Sequence, residues 1–162
     1  MKKINILGVG NALVDKQFLI EDSFLEDISI DKGTMGLCES NYQEELYKKL
    51  SKHYKKSQDA CGGSATNTIF AASSLGSSCG FIGKVANDTN GHFYKEDLEK
   101  IGIQNNIISQ GKENTGTCLI MISPDAERTM STCLGISADL NFSDIDENLI
   151  NNSEIIYLEG YL

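Results

Sequence analysis

Apolar residues along this chain fall in short runs separated by glycine and polar turns, and the periodicity of each run predicts its element. Ile4 to Val9 is nearly continuous and apolar and stops at Gly8-Val9-Gly10-Asn11, which predicts a strand buried on both faces, central and parallel in its sheet. Gln17 to Ile20 gives a second short extended segment and Gly33 to Cys38 a third, both read as half-buried strands, with the acidic stretch Glu21 to Asp31 between them. Tyr42, Leu46, Leu50 and Tyr54 then recur at helical spacing behind Ser40 or Asn41 as N-cap. Lys48, Lys49, Lys52, Lys55 and Lys56 gather toward the end of that helix, where the macrodipole favours cations.

Gly62-Gly63 opens an uncharged run of mostly small residues, Ser64 to Leu75, which predicts a helix packed closely against other backbone and closed by Gly76. Cys79 to Lys84 predicts a strand, and Asp88 is placed to cap a helix carrying Phe93, Leu98 and Ile101 that Gly102 closes. Thr117 to Ser123 and Arg128 to Leu134 flank the turn sequence Pro124-Asp125-Ala126-Glu127 and predict a β-hairpin. Ser143 is expected to cap a short helix to about Ile150, and Glu154 to Leu158 to form a buried, interior strand. Strands alternating with helices predict an α/β fold.

The length of 162 residues suits one domain or part of one, and no repeat, low-complexity tract or linker divides it. With a net charge of −9 the surface repels phosphate backbones and anionic lipid, so neither nucleic acid nor a membrane is an expected partner. No stretch approaches the roughly 20 apolar residues of a membrane span. The run after Met1-Lys2-Lys3 is too short and polar for the apolar part of a signal peptide. Five scattered cysteines, an odd number, point to a reduced, cytoplasmic protein.

Two segments carry candidate chemistry. Gly8-Val9-Gly10-Asn11-Ala12-Leu13-Val14-Asp15 lies where a buried parallel strand delivers its loop to the carboxyl edge of a sheet, the edge at which open α/β folds bind ligands. It resembles a dinucleotide fingerprint except that Leu13 stands at the third glycine position and extended residues follow where a helix should begin. Asp15 can accept two hydrogen bonds from a vicinal diol and Asn11 can donate and accept at once, which suits a polyol; the same two residues would also serve simply to shape a turn. In Cys61-Gly62-Gly63-Ser64-Ala65-Thr66-Asn67 a glycine pair enters a helix whose first amides can bind an oxygen-rich ligand, or it makes a turn chosen for tight packing. It is not a Walker loop, because no Gly-Lys-Ser/Thr follows.

Gly62-Gly63-Ser64-Ala65-Thr66-Asn67, then Gly76, Asn87-Asp88 and Gly91, resembles the N-terminal signature of the ribokinase-like, or phosphofructokinase-B, family of carbohydrate and nucleoside kinases. Thr115-Gly116-Thr117-Cys118 with Glu127-Arg128 looks like that family's adenosine-kinase branch, and the resemblance covers essentially the whole chain. Ile69 stands where many sugar kinases have a small residue, which agrees with the nucleoside branch, and Ala86 replaces a common glycine. The resemblance implies a Rossmann-like ribokinase fold with a small β-sheet lid, here built from segments near residues 16–38 and 115–134. It also implies ATP-dependent phosphorylation of a hydroxymethyl group on a nucleoside or sugar, with Mg²⁺ arriving on the ATP phosphates. Carried over by position, Asn11, Asp15, Gly62, Gly63, Ser64 and Asn67 would bind the substrate, Asp15 as principal anchor, while Leu13, Met35, Leu134 and Ile136 would pack against a base. A homodimer joined through the lid is one assembly this would allow.

Arg128, the one arginine, is placed to meet a transferring phosphate or to pair with Glu127 or Asp125. Lys84 reads as structural, and His53 and His92, without Cys or His at ligand spacing, read as helix-surface residues rather than metal ligands. The family's Gly-Ala-Gly-Asp segment, which supplies the catalytic base, has no counterpart in these residues. The expected chain is therefore the N-terminal, substrate-binding part of a longer kinase, inactive alone and lacking the ATP-binding part. A dinucleotide-binding oxidoreductase domain and a noncatalytic sugar-binding or assembly module are the alternatives.

Overall fold

The computed structural model describes residues 3–109 and 111–160; Met1, Lys2, Gln110, Tyr161 and Leu162 lie outside the described residues. The chain divides into two compact units. The first comprises residues 1–14, 61–116 and 134–162, the second residues 15–60 and 117–133.

The first unit is built on a four-stranded sheet of β1 (Ile4–Val9), β5 (Cys79–Val85), β6 (Gln104–Ser109) and β9 (Ser153–Leu158), in the order β6-β5-β1-β9. Every pairing in it is parallel. Because β1 has β5 on one side and β9 on the other, its backbone groups are paired along both edges, as its apolar run requires. On one face α3 (Ser64–Ser74) and α4 (Thr89–Lys100) contribute Ala65, Ile69, Tyr94 and Leu98 to a core with Phe81 and Val85 of β5. The other core joins Ile4, Leu7, Val9 and Ile82 to Leu149 of α5 (Glu147–Asn151). With both faces covered, all seven residues of β5 are buried.

In the second unit the sheet order is β3-β8-β7-β2-β4, from β3 (Met35–Leu37), β8 (Arg128–Cys133), β7 (Gly116–Ile122), β2 (Leu13–Leu19) and β4 (Ala60–Gly62). The strands β7 and β8 form the expected antiparallel hairpin, with Thr117 opposite Cys133 and Ile122 opposite Arg128. Over this unit's core, α1 (Asp22–Asp27) supplies Phe24 and Leu25 and α2 (Ser40–His53) supplies Leu46 and Leu50, packed with Phe18, Leu119 and Met121. Gln43 of α2 is buried, and its amide nitrogen donates to the carbonyls of Thr117 and Ser131, each at 3.0 Å, which fixes the helix to the hairpin.

Two elements lie where the sequence pattern predicts none, and two expectations need correction. The acidic stretch after Ile20 contains the helix α1, because Phe24 and Leu25 stand together on the face that reaches the core. Residues 104–109 form the strand β6; Gln104, Asn105 and Asn106 hide it, since an edge strand held by six registered pairs to β5 needs little apolar patterning. Ser143 caps nothing: it lies in a single 3₁₀ turn, Phe142–Asp144, capped by the Asn141 side chain, and α5 begins later behind Asp146, whose carboxylate accepts from the Asn148 amide at 2.9 Å. Finally, β9, expected to be buried, is at the edge of the described sheet, with Ile155 57% and Leu158 63% exposed. No helix among the described residues is long and apolar enough to cross a membrane.

Candidate functional site

The parallel register of β1 with β9 sets Val9 beside Leu158, so the residues that leave the two strands at their carboxyl ends emerge together. From β1 come Gly10 and Asn11, and from β9 comes Glu159. Asn11 and Glu159 are buried, at 3% and 7% exposure, and they hold each other: the Asn11 backbone amide donates to Glu159 Oε1 at 2.7 Å and its side-chain amide to the same oxygen at 2.8 Å. The second oxygen of Glu159 accepts from the Ser64 hydroxyl at 2.9 Å and the Ala65 amide at 3.1 Å, at the N-terminus of α3. One buried carboxylate thus gathers the loop after β1 and the first turn of α3, and the helix dipole favours its negative charge there.

Two glycines make this closeness possible. Gly63, the N-cap of α3, has φ +98°, and a Cβ there would stand 2.4 Å from the Asn11 carbonyl oxygen. A Cβ on Gly10 would lie 2.6 Å from the Glu159 carboxylate and 2.8 Å from Ala65 Cβ. Asn67 follows Ser64 by three residues, on the same side of the helix, and is exposed; its backbone amide closes the first turn onto the Gly63 carbonyl at 3.0 Å. Asn11, Gly62, Gly63, Ser64 and Asn67 therefore belong to one corner of the first unit, at the edge where α/β sheets bind ligands.

Asp15 belongs to the second unit, on β2. Burial raises its pKa from 3.8 to about 6, and the positive charge of Arg128 pulls partly the other way. Cys118, on β7, is pushed to about 11, chiefly by burial. Arg128 opens β8 and is exposed. The Asp125 carboxylate considered as its partner is instead held by the Lys32 ammonium at 2.8 Å.

Of the residues expected to pack against a base, Met35 is 45% exposed on β3, whereas Leu13 at 9% and Ile136 at 1% are core side chains; Leu134 is half-buried. Lys84 bonds the Asp144 carboxylate at 2.9 Å and the Asp139 carbonyl at 3.2 Å, fastening β5 to the turns before α5. His53 and His92 are exposed on α2 and at the first turns of α4. Among the described residues no group of three or more His, Cys, Asp or Glu side chains is placed to hold a metal ion.

A second carboxylate organises the loop before α4. Asp88 caps that helix by accepting from the Gly91 amide at 2.8 Å, and it also accepts from the Thr115 amide at 2.9 Å and hydroxyl at 2.7 Å. Burial alone would raise its pKa; the bonds from Thr115, Gly91 and Asn90 outweigh that and hold the carboxyl below its ordinary 3.8. An Asp88→Ala variant is expected to lose about 2 kcal/mol at pH 7, from the lost cap and the stranded Thr115 amide. Because the folded pKa is the lower one, that contribution is complete above about pH 4 and disappears as pH falls through the folded value, so urea titrations of the two proteins should converge in acid.

Sequence reasoning missed Glu159 and the partnership of Asp88 with Thr115. For Glu159 the available signal was a lone acid directly behind the apolar run Ile155 to Leu158, at the carboxyl end of a strand.

A parallel sheet whose β1 and β9 ends are gathered by the buried Glu159 carboxylate at the N-terminus of α3 has the α/β arrangement in which small ligands bind at the carboxyl edge. The chain belongs to the pfkB family of carbohydrate kinases, whose sequence pattern matches residues 35–162. Its fold is the ribokinase fold. Over 99% of its length it superposes on an adenosine kinase from Sinorhizobium meliloti with a TM-score of 0.90 at 34% identity, covering 48% of that chain. A probable sugar kinase from Rhizobium etli CFN 42 matches over the full chain with a TM-score of 0.91 at 32% identity, again covering 48% of its length. A 5-dehydro-2-deoxygluconokinase from Clostridium perfringens is 36% identical over 103 residues, 61% of this chain and 30% of the relative. The chain thus spans about half the length of these solved structures and about a third of the curated relatives it matches.

Proposed function

We propose that this chain carries the acceptor-binding part of an ATP-dependent kinase that phosphorylates the hydroxymethyl group of a nucleoside, adenosine foremost, or of a sugar. The observation that carries the reading is the Glu159 carboxylate joining Asn11 to the start of α3, because it presents polar side chains and helix-terminal amides together at a sheet edge. On this reading Asn11, the amides of Gly62 and Gly63, Ser64 and Asn67 bind hydroxyl groups, and Asp15 anchors a diol through its two oxygens. The segments near residues 16–38 and 115–134 act as the lid that excludes water from phosphoryl transfer, and Arg128 meets the transferring phosphate. ATP supplies the phosphoryl group, and Mg²⁺ comes with it on the ATP phosphates.

Adenosine is placed first because the likeness to the Sinorhizobium meliloti adenosine kinase, over 99% of this chain, joins 34% identity to a TM-score of 0.90. A sugar acceptor is the second reading, favoured by the 36% identity to the Clostridium perfringens 5-dehydro-2-deoxygluconokinase. The dinucleotide alternative fails on local structure: the residues after Gly10-Asn11 form the strand β2, not the helix that a dinucleotide fingerprint needs.

A thermal-shift panel of adenosine, inosine, ribose, fructose and 5-dehydro-2-deoxygluconate separates the two readings. At a hundred times its dissociation constant a true acceptor adds about 2.7 kcal/mol of stability, or about 5 to 10 °C in a chain of this size. A shift with adenosine alone supports the nucleoside, a shift with a sugar alone the second reading, and no shift with any of the five refutes both.

A further inference from the structure

Away from that site, the sheet of the second unit carries thiols on both its faces. Cys118 shares one face with Thr132, whose hydroxyl donates to its sulfur at 3.3 Å; alternation along β8 puts Cys133 on the opposite face, with Ser131. Cys38 follows directly on β3. The β3–β8 ladder is parallel, pairing Met35 with Met130, Gly36 with Ser131 and Leu37 with Thr132, and the Cys38 amide continues it by donating to the Thr132 carbonyl at 2.9 Å. One more step of that register sets Cys38 beside Cys133. The Cys38 sulfur lies 3.2 Å from the Ser131 hydroxyl, which puts it on the face that Cys133 occupies.

Nothing blocks this approach from Gly36, where even an added Cβ would meet no atom within 4 Å. Cys38 and Cys133 are half-buried, whereas Cys61, Cys79 and Cys118 are buried. A groove of about 470 Å³ gives solutes access, lined among others by Cys38, Ser131 and Met130. The spacing is right as well: adjacent strands lie about 4.8 Å apart, within the roughly 4.4 to 6.8 Å between Cα atoms that a disulfide spans.

We propose that Cys38 and Cys133 are a thiol modification site, forming a reversible disulfide with hydrogen peroxide as the oxidant. One thiolate attacks the peroxide and breaks its O–O bond, giving a sulfenic acid and, after protonation, one water. The second thiolate attacks the sulfenic sulfur and displaces hydroxide, which leaves as the second water. In sum, two thiols lose two protons and two electrons, one S–S bond forms, and the peroxide is reduced to two waters. The bond ties the three-residue edge strand β3, and with it the start of α2 two residues beyond Cys38, to β8. None of this depends on the kinase reading.

The native chain treated with hydrogen peroxide, alkylated and digested without reduction tests it. The expected result is a peptide joining Cys38 to Cys133, a loss of two of the five free thiols, and recovery of both on adding dithiothreitol. Cys38→Ser and Cys133→Ser, at half-buried positions, should each abolish the linked peptide. Five alkylatable thiols after treatment, a link to Cys118, or sulfinic acid at Cys38 or Cys133 without a link would each overturn it.

Discussion

Replacing Asp15 by asparagine should make the chain more stable at neutral pH while depriving it of substrate. Burial raises the Asp15 pKa from 3.8 to about 6, so between those values the folded chain binds more protons than the unfolded one. Stability therefore falls as pH rises through that window, and above about pH 6 the buried charge costs its full amount, about 2 to 3 kcal/mol. Asparagine keeps the shape and removes the charge. In urea unfolding the variant should exceed the wild type by about 2 kcal/mol at pH 7 and lose that advantage near pH 4. Acceptor binding should weaken roughly ten- to hundredfold, the value of a charged hydrogen bond, and wild-type binding should itself decline below about pH 6 as Asp15 protonates. Equal stability of the two proteins at pH 7 would remove the buried charge from the account, and unchanged acceptor affinity would remove Asp15 from the site.

A larger loss is expected from Glu159→Ala. Four hydrogen bonds among the described residues end on that carboxylate, and without it the buried amides of Asn11 and Ala65 lose this acceptor. Stranded buried donors cost about 1 to 3 kcal/mol each, with some relaxation, so the chain should lose about 3 to 5 kcal/mol. Glu159→Gln should lose less, about 1 to 3 kcal/mol: its carbonyl oxygen can still serve one pair of donors, but its amide nitrogen faces the others. Chemical denaturation of both variants checks the order. A cost below about 1 kcal/mol for the alanine variant would mean that the carboxylate is not what gathers the two segments.

Much of the architecture was legible because the responsible signals are local. The glycine-bounded apolar run of β1, the one-turn recurrence of Leu46 and Leu50 in α2, and the cap at Asp88 are dictated by neighbours in sequence. The elements that escaped are those decided by distant partners. Asn105 and Asn106 are poor strand formers, yet they pair in register with Phe81 and Ile82. For β9 the apolar run fixed the conformation but not the burial: at the edge of the described sheet Ile155 to Leu158 are exposed. The same contrast holds at the site. Asn11 and Gly63 announce themselves by glycine-rich surroundings, whereas Glu159 is one of 23 acids whose burial no local pattern reveals.

The carboxylate that joins these pieces lies 148 residues from Asn11. During synthesis, the turn after the first strand and the start of α3 leave the ribosome long before their common acceptor exists. Secondary structure can form early from local contacts, but this knot awaits a late-arriving residue, and closing so long a loop is slow. A nascent chain halted before Glu159 would hold helices and strands yet no organised corner between the end of β1 and the start of α3.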